Sequence, residues 1–365
     1  MQSILSRDLI HEDFFHAPSS TNYWEFMRLI NKAKHQLLEW GFDKGKYSVI
    51  HLMSNTTDAL AFQFAMWELG IGIAIPPEDM FDTPEQNKSE HWETIDNYFR
   101  EFVRNNNSFP INYSIDDRSD TMMGGAIAKS QIYGKIYMDT TEEFGIRHGH
   151  YMGKMHDQSD ADIDAPWEVT PDVVATGGFK TGSGWGYGDW EKGIKCESFA
   201  DKDVCWRKSH EEVFDTVMSS CLDMRGKTVG LSKTLLHHNA MERHILPALI
   251  QSGRVIDMPI PEYNLGNTFI EGIFVGDVEI TKEMMYEFVC RNATNLMIKY
   301  EIDCFASPSD EALFSWLDIY NNTKGDFKKP VECLIHTEPT QDHEYWENKM
   351  NIKFVFDGDE FQYGA

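Results

Sequence analysis

Apolar residues recur at helical spacing over 23–40, where Tyr23, Trp24, Phe26, Met27, Leu29, Ile30, Ala33, Leu37, Leu38 and Trp40 fall largely on one side. Ser19, Ser20, Thr21 and Asn22 offer N-caps in front of this stripe and Gly41 a C-cap behind it, which predicts an amphipathic helix. Residues 47–52 (YSVIHL) read as a buried strand. Ser54-Asn55-Thr56-Thr57 then turns into a helix over 58–69, Gly70 ends it, and 71–75 forms a second strand that Pro76-Pro77 stops. Helix, strand, helix, strand with short links is a βαβ crossover, which implies a mostly parallel sheet.

Polarity rises beyond this point. Residues 78–107 are polar with a helix over 90–104, 111–120 are turn-rich, and 124–136 fit another helix and strand. His148, His150 and His156 with Asp157, Asp160, Asp162 and Asp164 are metal-ligand residue types, but their spacing matches no ligand motif. A His- and Asp-rich linker before Pro166 is the simpler account. The rhythm resumes with a helix over 211–224 ended by Gly226, a strand over 228–231, and 235–238 as its continuation or exit. A helix over 241–252 is broken near Pro247 and capped by Gly253, and 254–260 forms the next strand. Strands at 273–278, 331–335 and 352–356 alternate with helices at 284–298, 309–320 and 343–350. The expected fold is therefore α/β, with two mostly parallel-sheet subdomains and covering helices. Residues 1–165 form the first subdomain with a polar insert, and 166–365 the second.

Composition narrows the partners. A formal charge of −26, from 59 acidic against 33 basic residues, sets net repulsion against a polyanion, so nucleic acid is excluded as a partner. Six cysteines lie scattered without a C-x-x-C pair, which leads us to expect a reducing, cytoplasmic setting. No apolar run approaches the roughly 20 residues of a membrane-spanning helix, and no membrane partner is expected.

The chemistry concentrates in 173–188, VVATGGFKTGSGWGYG. Gly177, Gly178, Gly182, Gly184, Gly186 and Gly188 are interleaved with Thr176, Lys180, Thr181 and Ser183. Glycines let successive backbone N–H groups converge on an anion, hydroxyls add donors and lysine adds charge, which is the make-up of a phosphate cradle. No Gly-Lys-Ser/Thr closes a Walker loop, and no apolar helical run follows Gly188 as a dinucleotide fingerprint requires. A surface loop pinned by Phe179, Trp185 and Tyr187 is the alternative.

The order of landmarks resembles the large N-terminal domain of the adenylate-forming superfamily: the acyl-CoA synthetases, luciferases and peptide-synthetase adenylation domains. Residues 23–76 are similar to the family's opening helix, strand, Asn-Ser turn, helix and strand. Residues 173–182 resemble its Thr-Ser-Gly-Thr-Thr-Gly loop with one extra residue, without the Pro-Lys-Gly that follows there. Lys208-Ser209-His210, then LLHHN, LPALIQSGRVIDMP and residues 331–365 are similar to its later blocks, closing on Tyr363-Gly364.

The resemblance implies ATP-dependent activation of a carboxylic or amino acid as an acyl-adenylate, with Mg2+. It places Thr176, Gly177, Gly178, Thr181, Gly182 and Ser183 around the phosphates with Lys180 as charge partner, and His238 (or His237) near the acyl pocket. It sets Glu338 in the turn lining adenine, and Tyr363 and Gly364 in the segment stacked on it. Asp359 and Glu360, beside Asp357, stand in for the metal carboxylate. The family's Thr-Glu pair, ribose-binding Asp and lysine-bearing C-terminal domain would follow Ala365, so we expect a protein partner or self-association to supply them. The alternatives are a non-catalytic nucleotide- or acyl-binding or assembly protein, and a structural protein whose glycine stretch is only a loop.

Overall fold

The computed structural model describes residues 13–16, 20–39, 42, 48–52, 57–75, 111–116, 134–137, 149–179, 205–219, 223–231, 241–251, 253–258, 274–275, 278–279, 281–306, 310–323, 330–335 and 339–356. It opens with an antiparallel pair, β1 (Asp13–His16) and β2 (Ser20–Asn22), leading into helix α1 (Tyr23–Glu39). The Asn22 side chain accepts from the Glu25 amide at 2.9 Å and the Glu25 carboxylate accepts from the Asn22 amide at 3.3 Å, so two orphan donors are satisfied reciprocally. The stripe buries Phe26, Ile30, Ala33 and Leu37, whereas Trp24 stays exposed. Helix α2 (Thr57–Glu68) is apolar nearly all round, and ten of its twelve residues are buried, as a helix held between two layers requires. Gly70 leaves it at φ 67°, a left-handed turn that any Cβ would strain.

Two seven-stranded sheets enclose these helices. The first has the order β7 (Gly149–Tyr151), β6 (Gly134–Tyr137), β5 (Ile111–Asp116), β3 (Ser48–Leu52), β4 (Gly72–Ile75), β8 (Val174–Phe179) and β9 (Cys205–Ser209). The second has the order β16 (Ile352–Phe356), β15 (Val331–Ile335), β14 (Cys304–Ala306), β10 (Thr228–Leu231), β11 (Arg254–Asp257), β1 and β2. In each, six strands run parallel and one edge strand, β9 or β2, runs antiparallel. A small antiparallel pair, β12 (Phe274–Val275) and β13 (Val278–Glu279), stands apart.

The remaining helices are α3 (His210–Met218), a π-helical turn (Met241–Ile245) running into α4 (Leu246–Ile250), α5 (Lys282–Tyr300), α6 (Asp310–Thr323) and α7 (Gln341–Lys349). The pleat divides the second sheet between two cores. Val255, Cys304, Ala306 and Leu334 join α1 and α2 in one cluster that also holds Ile73 and Ala175 of the first sheet. Ile256, Phe305 and Cys333 face a second cluster with Met297 of α5 and Trp316 of α6. At the turn into β11, a Cβ on Gly253 would lie 2.9 Å from the Met224 and Lys227 carbonyl oxygens, so only glycine fits.

Strand pairing crosses the seam expected at residue 165 in both directions. β8 and β9 follow the seam in sequence yet pair with the first sheet, and β1 and β2 precede it yet pair with the second. Each antiparallel pair then sends its helix into the other unit: α1 packs on α2, and α3 packs on the π turn and α4. Residues 111–116, expected to be turn-rich, form strand β5 because parallel pairing to β3 supplies the partner that local composition cannot show. Near Pro247, which lacks the N–H a continuous α-helix needs, the backbone takes the π turn. The helix expected at 90–104 and the segment 235–238 lie outside the described residues.

Candidate active site

Parallel α/β sheets bind ligands beyond the carboxyl ends of their strands, and the sequence candidates follow such ends. Lys180, Thr181, Gly182 and Ser183 follow β8, His238 follows β10, Glu338 follows β15, and Asp359, Glu360, Tyr363 and Gly364 follow β16. All of these lie outside the described residues. Thr176, Gly177 and Gly178 are described, and they sit inside β8 rather than in a loop. They pair with Ile73, Ala74 and Ile75 on one side and with Lys208, Arg207 and Trp206 on the other.

The register of β8 with β9 slips between Val174 and Thr176, so Ala175 is an extra residue. Such a bulge breaks the ladder locally and re-aims neighbouring side chains. The Trp67 indole N–H donates to the Ala175 carbonyl at 2.9 Å and satisfies the group the bulge leaves over. Next to it, Thr176 is 2% exposed and its Oγ1 has no hydrogen-bond partner among the described residues.

Opposite Thr176 stands Lys208, whose ammonium donates to Glu242 Oε2 at 2.5 Å and to Thr216 Oγ1 at 3.4 Å. The Lys208 side chain is 11% exposed and that of Glu242 3%. Burial pushes the Glu242 carboxyl above its ordinary range, and the Lys208 charge opposes that shift. A Thr, a Lys and a Glu thus meet in the core below the carboxyl end of β8. The sequence showed Lys208 only as the start of Lys-Ser-His and Glu242 only as a polar position in an apolar run. Their meeting depends on the β8–β9 register and the π turn, which no local pattern signals. Ser209, after Lys208, caps α3 through a second capping box with Glu212.

Within the His- and Asp-rich segment, residues 149–151 form β7, and residues 156–163 run as a strap along α1 and the start of α2. His156 bonds Asp58 at 2.8 Å, Asp160 takes Arg28 at 2.5 Å, and Lys34 reaches Asp162 at 3.5 Å and the Ile163 carbonyl at 2.7 Å. Lys32 donates to the His156 carbonyl. Asp160 and Asp162 are thus spent on the basic face of α1. Among the described residues no cluster of His, Cys, Asp or Glu is arranged to hold a metal ion, and no helix is long and apolar enough to cross a membrane.

No family model and no curated protein sequence matches this chain. Its fold is nevertheless shared with solved ligases. The anthranilate CoA ligase AuaEII, solved with anthranoyl-AMP, superposes with a TM-score of 0.66 at 10% identity over 97% of this chain and 57% of its own. Coronafacic acid ligase from Pectobacterium brasiliense gives 0.64 at 11% identity over 94% and 57%. The N-terminal domain of FACL13 from Mycobacterium tuberculosis gives 0.59 at 11% identity over 94% and 71%. The chain therefore has the fold of the N-terminal domain of adenylate-forming ligases, and it spans 57% of the length of the first two.

Proposed function

We propose that this protein activates a small carboxylic or amino acid with ATP, forming an acyl-adenylate. The observation that carries the proposal is the shared fold over 94–97% of the chain, with a glycine- and hydroxyl-rich segment leaving β8 at its carboxyl end. The donor set fits a nucleotide. Thr181 and Ser183 offer hydroxyls, Gly182 an N–H free of a side chain, Lys180 a charge, and Thr176 a buried hydroxyl without a partner among the described residues. Asp359 and Glu360 are the hard oxygen donors that Mg2+ takes beside phosphate oxygens.

In this proposal the magnesium-bound nucleotide supplies an electrophilic α-phosphorus, and the chain positions the reactants and stabilises charge. Lys180, Thr181, Gly182 and Ser183 hold the departing phosphates, with Gly177 and Gly178 keeping the approach clear of side chains. Glu338 and the Tyr363 ring, with Gly364, hold the adenine, and His238 borders the acid. A protein partner or a second copy of this chain closes over the nucleotide.

ATP–pyrophosphate exchange with a panel of carboxylic and amino acids tests the reading. We expect acid-dependent exchange that Lys180→Ala and Thr181→Ala reduce, with weaker ATP binding by calorimetry. Exchange rising more steeply than protein concentration supports self-association. ATP binding without exchange for any acid, alone or with a partner, leaves the non-catalytic nucleotide-binding reading. Neither binding nor exchange refutes both.

A further inference from the structure

We propose that the cavity between α2, α3 and α4 is a second ligand site, built for a small neutral apolar molecule that carries one hydroxyl group. This goes beyond the activation chemistry and does not depend on it. The cavity has a volume of about 220 Å³ and opens beneath the Ala175 bulge. Ala175 lies four residues before Phe179, the last residue of β8, which is about 13 Å at the rise of a strand. The cavity is therefore set back from residues 180–183, although Ala175 adjoins Thr176 in the chain.

Phe64, Trp67, Phe214 and Leu246 contribute apolar wall. Trp67 has already committed its N–H to the Ala175 carbonyl. His210 is the exception, because its Nε2 is buried and has no hydrogen-bond partner among the described residues. A buried polar atom without a partner carries a desolvation penalty that a ligand hydrogen bond would relieve. Water is a poor occupant, since it needs two to four polar partners and the described lining side chains offer one uncommitted polar atom. Phe214, 45% exposed, stands partly in solvent beside this wall.

Size and charge narrow the ligand. A dry cavity of roughly 150 Å³ holds benzene, so about 220 Å³ takes a ring with a short alkyl arm. Burial holds the His210 ring below the usual imidazole range, so it is neutral at neutral pH. A neutral imidazole donates or accepts at Nε2 according to its tautomer, and a hydroxyl matches either. A carboxylate meets apolar walls, a neutral ring and a chain of net charge −26, all of which disfavour it.

The test is calorimetric titration of the full chain at neutral pH, without ATP, with 4-ethylphenol, ethylbenzene and 4-ethylbenzoate. We expect 4-ethylphenol to bind about fivefold to tenfold more tightly than ethylbenzene, the worth of one hydrogen bond, and more tightly than 4-ethylbenzoate. His210→Phe brings 4-ethylphenol down to the ethylbenzene level. Ile250→Trp fills the space from a partly exposed wall position and abolishes binding of both. Equal affinities in the unmodified protein, a preference for the benzoate, or binding that survives Ile250→Trp would each overturn the proposal. The wild-type comparison holds even if a variant does not fold, and the absence of ATP keeps the outcome separate from that of pyrophosphate exchange.

Discussion

Replacing Lys208 by methionine removes one charge from a pair sealed in the core while keeping the side-chain length. At 2.5 Å and an effective dielectric of about 20, the gross attraction in the Lys208–Glu242 pair is about 7 kcal/mol. Desolvation of several kcal/mol per ion offsets most of it, so the intact pair contributes little net stability. Deleting the lysine leaves the Glu242 penalty uncompensated, and we expect a loss of about 3–5 kcal/mol at neutral pH.

The pH dependence has a definite sign. The Glu242 carboxyl titrates above its ordinary value in the fold, so its protonated form is the one that folding favours. Its contribution is fully present below the unfolded-state pKa and is lost as pH rises through the folded one. Without Lys208 the folded value climbs further. The deficit of Lys208→Met against wild type should therefore shrink as pH falls towards the carboxylate range. Adding Glu242→Leu removes the stranded charge and should restore stability to at least the wild-type level. Urea unfolding followed by tryptophan fluorescence, for all three proteins at each pH, reads this directly. A single-variant deficit below about 1 kcal/mol, a deficit independent of pH, or a double variant no more stable than the single would refute the reasoning.

Gly253→Ala forces a Cβ against two carbonyl oxygens at 2.9 Å and should cost about 1–3 kcal/mol in the same urea assay. Arg28→Ala should cost less than about 1 kcal/mol, since the Arg28–Asp160 pair is exposed. Lys34→Met should cost clearly more, because Lys34 is 4% exposed and leaves Glu68 and the Ile163 carbonyl without its charge. Burial pushes the Cys304 thiol up to about 12 and raises that of Cys333 as well, so neither should react with iodoacetamide in the folded protein at neutral pH. Rapid native labelling at either, mapped by mass spectrometry, would show that the second sheet opens.

Much of the architecture was legible because it is periodic. The α1 stripe, the all-round apolar α2 and the strands of the second half announce themselves through spacing, and α5 extends the expected 284–298 by only two residues at each end. What was not legible depends on distant partners. The strands Asp13–His16 and Ser20–Asn22 are too short to carry a period, and β1 exists because β11 lies beside it. The His- and Asp-rich tract, expected as a linker, shows its role only when Arg28, Lys32 and Lys34 are seen to face it. Of the candidate site, the sequence indicated the strand ends it follows. It showed Lys208 and His210 only within Lys-Ser-His and gave no role to Glu242, because their environments arise from a bulge and a π turn.

The exchange of antiparallel pairs between the two sheets also sets a timetable for synthesis. Phe15 lies opposite Val255, 240 positions later in the chain. At about 5–20 residues per second, β1 waits roughly 10–50 s after its own synthesis for its neighbour. Helix α1, separated from that strand by six residues, meets α2 almost at once, so the hairpin is held at the surface of a half-formed unit with an unpaired strand edge. A nascent chain of this kind has a long interval in which to aggregate or to meet a chaperone, and neither half of it can be released as a finished domain.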